Sequence, residues 1–362
     1  MKARWLLSFC LVVSLIGGTG RAADTETWVR VDTPHFTLLS DTSEAATVAL
    51  GTHLERLRAV IAQLVPQTGL KAPVPTRFFV FHDEAAFQPY KLLVGGRPVD
   101  DAGYLVRHEH GNYAALVAGQ TSSAIRLVYK QYLHFLLQSN FPELPQWLRQ
   151  GVAELYSTFT SDSAEARIGL PVEDHVFWLR MPGRQLIPLA EFFAMDEAPL
   201  GGEEQADFFT QSRALAHYLI LGTEEYRREV GGYLIRLING ESPERAIREA
   251  FGVDFATLEK ELAAYIRQDT FSYVRLPIDD LADVQIESTV MSRAEVLWSL
   301  GDLLAHAVPE RRAQAEAHFR AALEAEPAHG RASPGRNRPS SEASSSDPCL
   351  RRLGHSSASR TV

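Results

Sequence analysis

The stretch from Val128 to Phe159, VYKQYLHFLLQSNFPELPQWLRQGVAELYSTF, sets polar side chains at helical spacings on either side of a proline-bounded break. Lys130 and His134 stand four residues apart and so share one helical face, with Gln131 beside Lys130. Beyond Pro142 and Pro145, Gln150 and Glu154 repeat that spacing on a second helix. Two side chains one turn apart, met by a third from a neighbouring helix, can hold a tetrahedral zinc and the water it activates. The residue types do not supply that chemistry. The ammonium of Lys130 has no lone pair for a metal. Gln131 cannot take a proton from water. Gln150 offers a neutral amide oxygen, a weak zinc ligand beside a carboxylate, and one imidazole, His134, is not a zinc site. Glu154 is the one carboxylate of the set. A Lys130–Glu154 contact, joined by Gln150, would pair the charges and keep the two helices in register. The alternative is that Lys130 runs its stem along the helix to solvent.

These residues resemble the active-site frame of the exported peptidase MA-like family of gluzincin-type zinc peptidases. In that family one helix reads roughly His-Glu-Tyr-x-His-Phe, and the next enters as Pro-x-Trp-Leu-Asn-Glu-Gly-x-Ala-Glu. The resemblance runs from about residue 28 to 269. It includes Trp28, Val31, Thr33 and His35-Phe36 near the start, the Pro145/Trp147 entry to the second helix, and Gln211-Ser212 ahead of a later helix. Carried over position by position, it implies that Lys130 stands at the first ligand His and Gln131 at the general-base Glu. His134 stands at the second His and Gln150 at the third-ligand Glu, with Arg149 where Asn is expected, while Glu154 is retained. One of three metal ligands survives and the base does not. Zinc is the family's cofactor, and no cofactor is expected here. The resemblance thus implies an exported, catalytically inactive homologue, a peptide- or protein-binding or scaffolding module whose cleft takes an extended peptide by strand addition. Two other readings stay open: an active metallopeptidase with a non-standard ligand set that includes His134 and Glu154, and a decaying or truncated gene product with a structural role only.

Other chemistry-bearing clusters are sparse. His108-Glu109-His110 falls in a polar turn between two strand-like runs, where two imidazoles sharing a direction could chelate, although solvated turn residues are the commoner case. His217 reads as a core or interhelix histidine, and His35 as packing or capping the first sheet. No Gly-x-Ser-x-Gly elbow and no Gly-rich phosphate loop is present. The net charge is -9, with six Arg against one Glu and one Asp in 331–362, so charge gives no case for nucleic acid.

The elements that must position the central stretch follow from periodicity. Trp28–Val31 and His35–Ser40 read as strands, Ser43–Leu64 as an amphipathic helix, Thr76–His82 as a buried strand, and 83–90 as a helix capped by Asp83. Gly103–Arg107 and Tyr113–Ala118 read as a hairpin around the turn 108–112. Ser123–Asn140 and Gln146–Thr158 are the helix pair. Later helices are expected at Leu189–Met195, Phe208–Leu221, Tyr226–Asn239, Pro243–Phe251 and Phe255–Asp269, with Gly240 and Gly252 as stops. The fold class is α+β: a small N-terminal sheet with helices, the gluzincin-like helix pair, a helical C-terminal lobe and one tetratricopeptide-like helical hairpin.

Residues 1–22 read as a signal peptide, with Lys2 and Arg4 before an apolar run from Trp5 to Ile16 and small residues at Gly20 and Ala22. An exported chain, periplasmic or secreted, is expected, with no membrane span after cleavage. Cys10 lies in that segment and Cys349 near the other end, so no disulfide and no Cys-based metal site is expected between them. A degenerate peptidase domain is placed at 23–285 and the repeat-like hairpin at 293–328, where Leu297, Leu300, Gly301, Leu304, Ala315, Phe319, Ala322 and Pro327 follow the repeat pattern. A single repeat cannot bury its own face, so it must dock on the domain, meet a partner or be a truncated array. From 331 to 362 a Ser-, Arg- and Pro-rich tail is expected to be disordered. A frame change or truncation of a longer repeat array is one hypothesis for its abrupt start.

Overall fold

Strand residues here alternate between two buried faces. On Thr76–Phe81, Phe78 and Val80 enter one core cluster while Phe79 and Phe81 enter another, and on Gly111–Val117 Ala114 and Leu116 are likewise opposed to Tyr113, Ala115 and Val117. A sheet made this way needs a helical layer on each side. The computed structural model describes residues 27–63, 69–119, 122–162, 164–195, 201–277 and 284–327. The segment read as a signal peptide and the tail 331–362 lie outside the described residues.

The first part of the chain comprises β1 (Val29–Asp32), β2 (Phe36–Ser40), α1 (Glu44–Ala62), β3 (Thr76–Phe81) and α2 (Glu84–Phe87), the last extended by a 3₁₀ turn to Tyr90. A two-stranded ribbon, β4 (Leu93–Val94) and β5 (Arg97–Pro98), precedes β6 (Gly103–His108) and β7 (Gly111–Val117). The helix pair is α3 (Ser122–Asn140) and α4 (Gln146–Ser157), followed by β8 (Thr160–Ser161), β9 (Glu165–Ile168) and α5 (Glu173–Arg180). The helical lobe contains α6 (Leu189–Ala194), α7 (Gly202–His217) ending in a π-helical turn to Gly222, α8 (Glu224–Ile238), α9 (Pro243–Phe251) and α10 (Phe255–Ile266). Strands β10 (Val274–Pro277) and β11 (Glu287–Val290) then precede α11 (Arg293–Ala307) and α12 (Arg312–Ala325).

The main sheet has the order β11-β1-β2-β3-β7-β6, with β2-β3 and β3-β7 parallel and the other pairs antiparallel. The class is α+β. One face is covered by α1 and α3, with Leu54, Leu57, Val128, Tyr132 and Leu136 packed on Val31, Leu38 and Phe78. The other is covered by α2, α11 and α12, with Phe87, Leu300, Leu304 and Phe319 on Leu39, Phe79 and Phe81. The repeat-like hairpin therefore docks on the sheet. Its helices approach closely at Gly301, where a Cβ would lie 2.9 Å from the Phe319 ring.

Several sequence expectations shift. The turn after β6 is tighter than 108–112: His108 pairs with Gly111, and only Glu109 and His110 form the loop. Asn112 is fully buried inside β7, where its side-chain N–H donates to Thr76 Oγ1 at 3.0 Å and its Oδ1 has no partner. Helix α7 begins at Gly202, six residues before the expected Phe208, with Glu203 and Glu204 in its first turn complementing the helix dipole. Helix α5 and strands β8 to β11 were not anticipated. The short α5 has no side-chain cap at its start, and β11 is legible only from its pairing with β1.

A polar clamp ties α11 to the sheet. The Asp302 carboxylate accepts from Arg77 Nη1 at 2.7 Å and Tyr113 Oη at 3.1 Å, and lies 3.1 Å from His306 Nδ1. Burial alone would raise its pKa, but His306 and Arg77 hold it below the usual carboxylate value. Asp302→Ala is expected to lower unfolding free energy by about 1–3 kcal/mol, because it removes the acceptor shared by Arg77 and Tyr113. Because the folded pKa is depressed, the contribution is present above about pH 4 and lost as acid titrates the carboxylate. Urea unfolding of both chains at neutral and acid pH checks both statements.

Candidate functional site

The helix pair forms where the sequence places it. Phe141 and the prolines at 142 and 145 end α3, with Phe141 N still donating to Leu137 O at 2.8 Å, and α4 starts behind Pro145. Trp147 is completely buried against Phe192, Phe193 and Tyr233, which anchors the start of α4 in the helical lobe. Arg149 bonds the carbonyls of Pro142 and Leu144, closing the inter-helix loop. Gly151 marks the closest approach of α4 to α7. A Cβ there would sit 2.5 Å from Ser212 O and 2.6 Å from Ala216 Cβ.

This packing brings Lys130, His134, Gln150 and Glu154 together. Lys130 Nζ donates to Glu154 Oε1 at 3.0 Å. Gln150 Nε2 donates to the same oxygen at 3.3 Å. A polar chain thus runs Gln150–Glu154–Lys130, and His134 feels Gln150 and Lys130 from beside it. Gln131 is half-buried on the same turn of α3. Glu154 and Gln150 are buried, whereas the Lys130 side chain is 24% exposed at the mouth. Burial pushes His134 down to about 4, against the opposing effect of Gln150, so the ring is neutral at pH 7. Burial would raise Glu154, but Lys130, His175 and Arg213 hold it below the ordinary carboxylate range.

Three residues of the site were not singled out from sequence. Arg213, on α7, is buried and donates to Glu154 O at 3.3 Å, in the last turn of α4, and to Leu170 O at 2.7 Å, just after β9. Its pKa is drawn down to about 10 by burial, with Glu154 opposing. His175, on α5, is pushed down to about 4 by burial, and its Nδ1 is buried without a hydrogen-bond partner. Arg126 lies one turn before Lys130 and acts on both His175 and Arg213. Only Arg126 carried a sequence signal, its four-residue spacing from Lys130. The other two come from distant segments.

The other histidines singled out from the sequence lie outside this helix pair. His217 bonds Tyr265 Oη at 2.7 Å and Gly169 O at 2.8 Å. His35 bonds Glu55 through both its backbone N–H and its ring, tying the β1–β2 turn to α1. The His108 and His110 rings lie 5.5 Å apart. Among the described residues no group of three or more His, Cys, Asp or Glu side chains is arranged to hold a metal ion. At the helix pair the donor set does not fit zinc: the ammonium of Lys130 faces the carboxylate, and His134 is the one imidazole of the four. Gln211, part of the family resemblance, clamps Ile187 N and O, both at 2.7 Å. No protein-family model matches the chain, and no curated protein matches it. The functional assignment therefore rests on the side chains of this site.

Gly151→Ala is expected to force α4 from α7 and cost about 1–3 kcal/mol, measured by thermal or urea unfolding. Lys130→Met would leave the Glu154 carboxylate buried beside an apolar side chain, at a cost of about 3 kcal/mol near neutral pH. Glu154 has a depressed folded pKa, so its stabilisation is present above about pH 4.3 and lost as acid protonates it. The stability gap between the two chains should therefore narrow toward acid pH in parallel urea titrations.

Proposed function

We propose that this chain is an exported, noncatalytic relative of zinc peptidases that binds a peptide or protein segment. The observation that carries this reading is the 3.0 Å contact of the Lys130 ammonium with Glu154, next to Gln150. A cation hydrogen-bonded in this position repels a divalent metal, and the flanking amides cannot act as base or anionic ligand. The Lys130–Glu154 pair and Gln150 hold α3 against α4 without a metal. Binding is supported by the sheet order. Among the described residues strand β6 is terminal, paired with β7 alone, and packs beside α3, so its outer edge can accept an extended segment by main-chain hydrogen bonds. Among the described residues no helix is long and apolar enough to cross a membrane.

The reading makes a reversible prediction. The purified chain, exposed to zinc and dialysed, should retain close to no zinc by elemental analysis. The triple substitution Lys130→His, Gln131→Glu and Gln150→Glu should raise the content to about one ion per chain, because it restores two imidazoles, a carboxylate ligand and the base on the same backbone. Retention of about one zinc by the unaltered chain, lost on His134→Ala, would overturn the noncatalytic reading.

A further inference from the structure

Helix α5 is held from one side. Trp178 Nε1 donates to Asp207 of α7 at 2.8 Å, and Leu179 packs on the core of the helical lobe. Phe177, the residue before Trp178, is 69% exposed and belongs to none of the three core clusters. Met181 and Tyr273, 36% and 42% exposed, are likewise outside every cluster. These three side chains line one groove of about 610 Å³ between α5 and the segment 269–273 that follows α10. That volume lies in the range of ligand sites, and large apolar side chains gathered in the open mark a place where something docks.

The charged residues of the groove decide the chemistry of its occupant. Glu173, Asp269 and Arg180 line it together. Neither carboxylate forms an ion pair among the described residues. Glu173 is the first residue of α5, where a negative charge complements the helix dipole. Asp269 stands three residues beyond the end of α10, the negative end of that helix, where its charge gains nothing. Arg180, the one cation of the lining, is engaged elsewhere. Its Nε donates to Ile266 O at 2.8 Å and its Nη2 to Gln268 O, which closes the end of α10, and its guanidinium lies 5.8 Å from the centroid of the Phe271 ring. On the adjoining strands Arg167 is held by Asp162 and Glu165, and Arg275 by Glu165. Two carboxylates against one guanidinium leave the groove with an excess negative charge beside the rings of Phe177 and Tyr273. Carboxylates and aromatic faces both attract a cation, and exposed apolar surface suits the stem that carries it.

We propose that this groove binds the basic side chain, lysine or arginine, of an extended peptide, with its stem against Phe177 and Tyr273 and its charge toward Glu173 and Asp269. A peptide, rather than a free amine, is indicated by the neighbouring strand. Tyr273, a wall of the groove, is the residue before β10, and among the described residues β10 is terminal in the sheet β10-β9-β8. A main chain pairing with the outer edge of β10 lies next to that wall. No residue of α3, α4 or β6 lines the groove. The proposal therefore goes beyond the noncatalytic reading of the helix pair, and neither depends on the other.

The test is a calorimetric titration of the full chain with the peptide acetyl-Ala-Ala-Lys-Ala-Ala-amide. Its controls are the same peptide with norleucine for lysine, which keeps the stem and removes the charge, and n-butylamine. Half-saturation near about 1 mM is expected for the lysine peptide, with the norleucine peptide roughly tenfold weaker or more. Phe177→Ser and Asp269→Asn, both at exposed positions, should each weaken binding about fivefold or more while leaving the thermal unfolding midpoint in place. Equal binding of the lysine and norleucine peptides, no saturation up to about 50 mM, or binding unchanged in both variants overturns the site and leaves the noncatalytic reading standing. Butylamine binding as tightly as the lysine peptide overturns the peptide as the occupant.

Discussion

The close approach of α4 to α7 at Gly151 is the constraint on which the site depends. With no side chain at that position, the backbone of α4 lies against Ser212 and Ala216. That contact brings Gln150 and Glu154 to α3 on one side and Arg213 to the end of α4 on the other. It also sets where the Leu170 carbonyl, and hence the start of α5 with His175, can sit. Were the two helices further apart, the buried Arg213 would lose its 3.3 Å bond to the Glu154 carbonyl.

Electrostatics then decides what the packed frame can do. Burial keeps His134 and His175 neutral, which is the form that binds metals, yet the other positions around them are an ammonium, an amide and guanidinium groups. The site combines buried, neutral imidazoles with protein cations and one carboxylate among them, a set that does not suit a metal ion.

Much of this was legible in the sequence because helical spacing is local. The four-residue separations of Lys130 from His134 and of Gln150 from Glu154, with prolines between, specified which side chains would meet, and the Lys130–Glu154 contact is present. The alternation of Phe78, Phe79, Val80 and Phe81 specified a strand buried on both faces. What was not legible depends on partners remote in the chain. His175 and Arg213 reach the site through tertiary packing that no spacing encodes. Asn112 reads as a turn residue until Thr76 is placed across from it. The four residues of β11, three exposed and one half-exposed, have no periodic core face, and they form a strand because β1 offers an edge.

That last pairing has a kinetic side. Val29 lies opposite Val290, so the first described strand of the sheet is flanked by β2 and by a segment made after the whole helical lobe. Closing a loop of that length costs entropy before it gains any contact, and sheets completed by such distant pairings form slowly. During synthesis β1 has one neighbour, β2, and an open edge on the other side until β11 emerges. The α2 side of the sheet stays only partly covered for the same interval, since α11 and α12 follow β11 directly. The order of the chain thus makes the sheet one of the last parts of the molecule to be sealed.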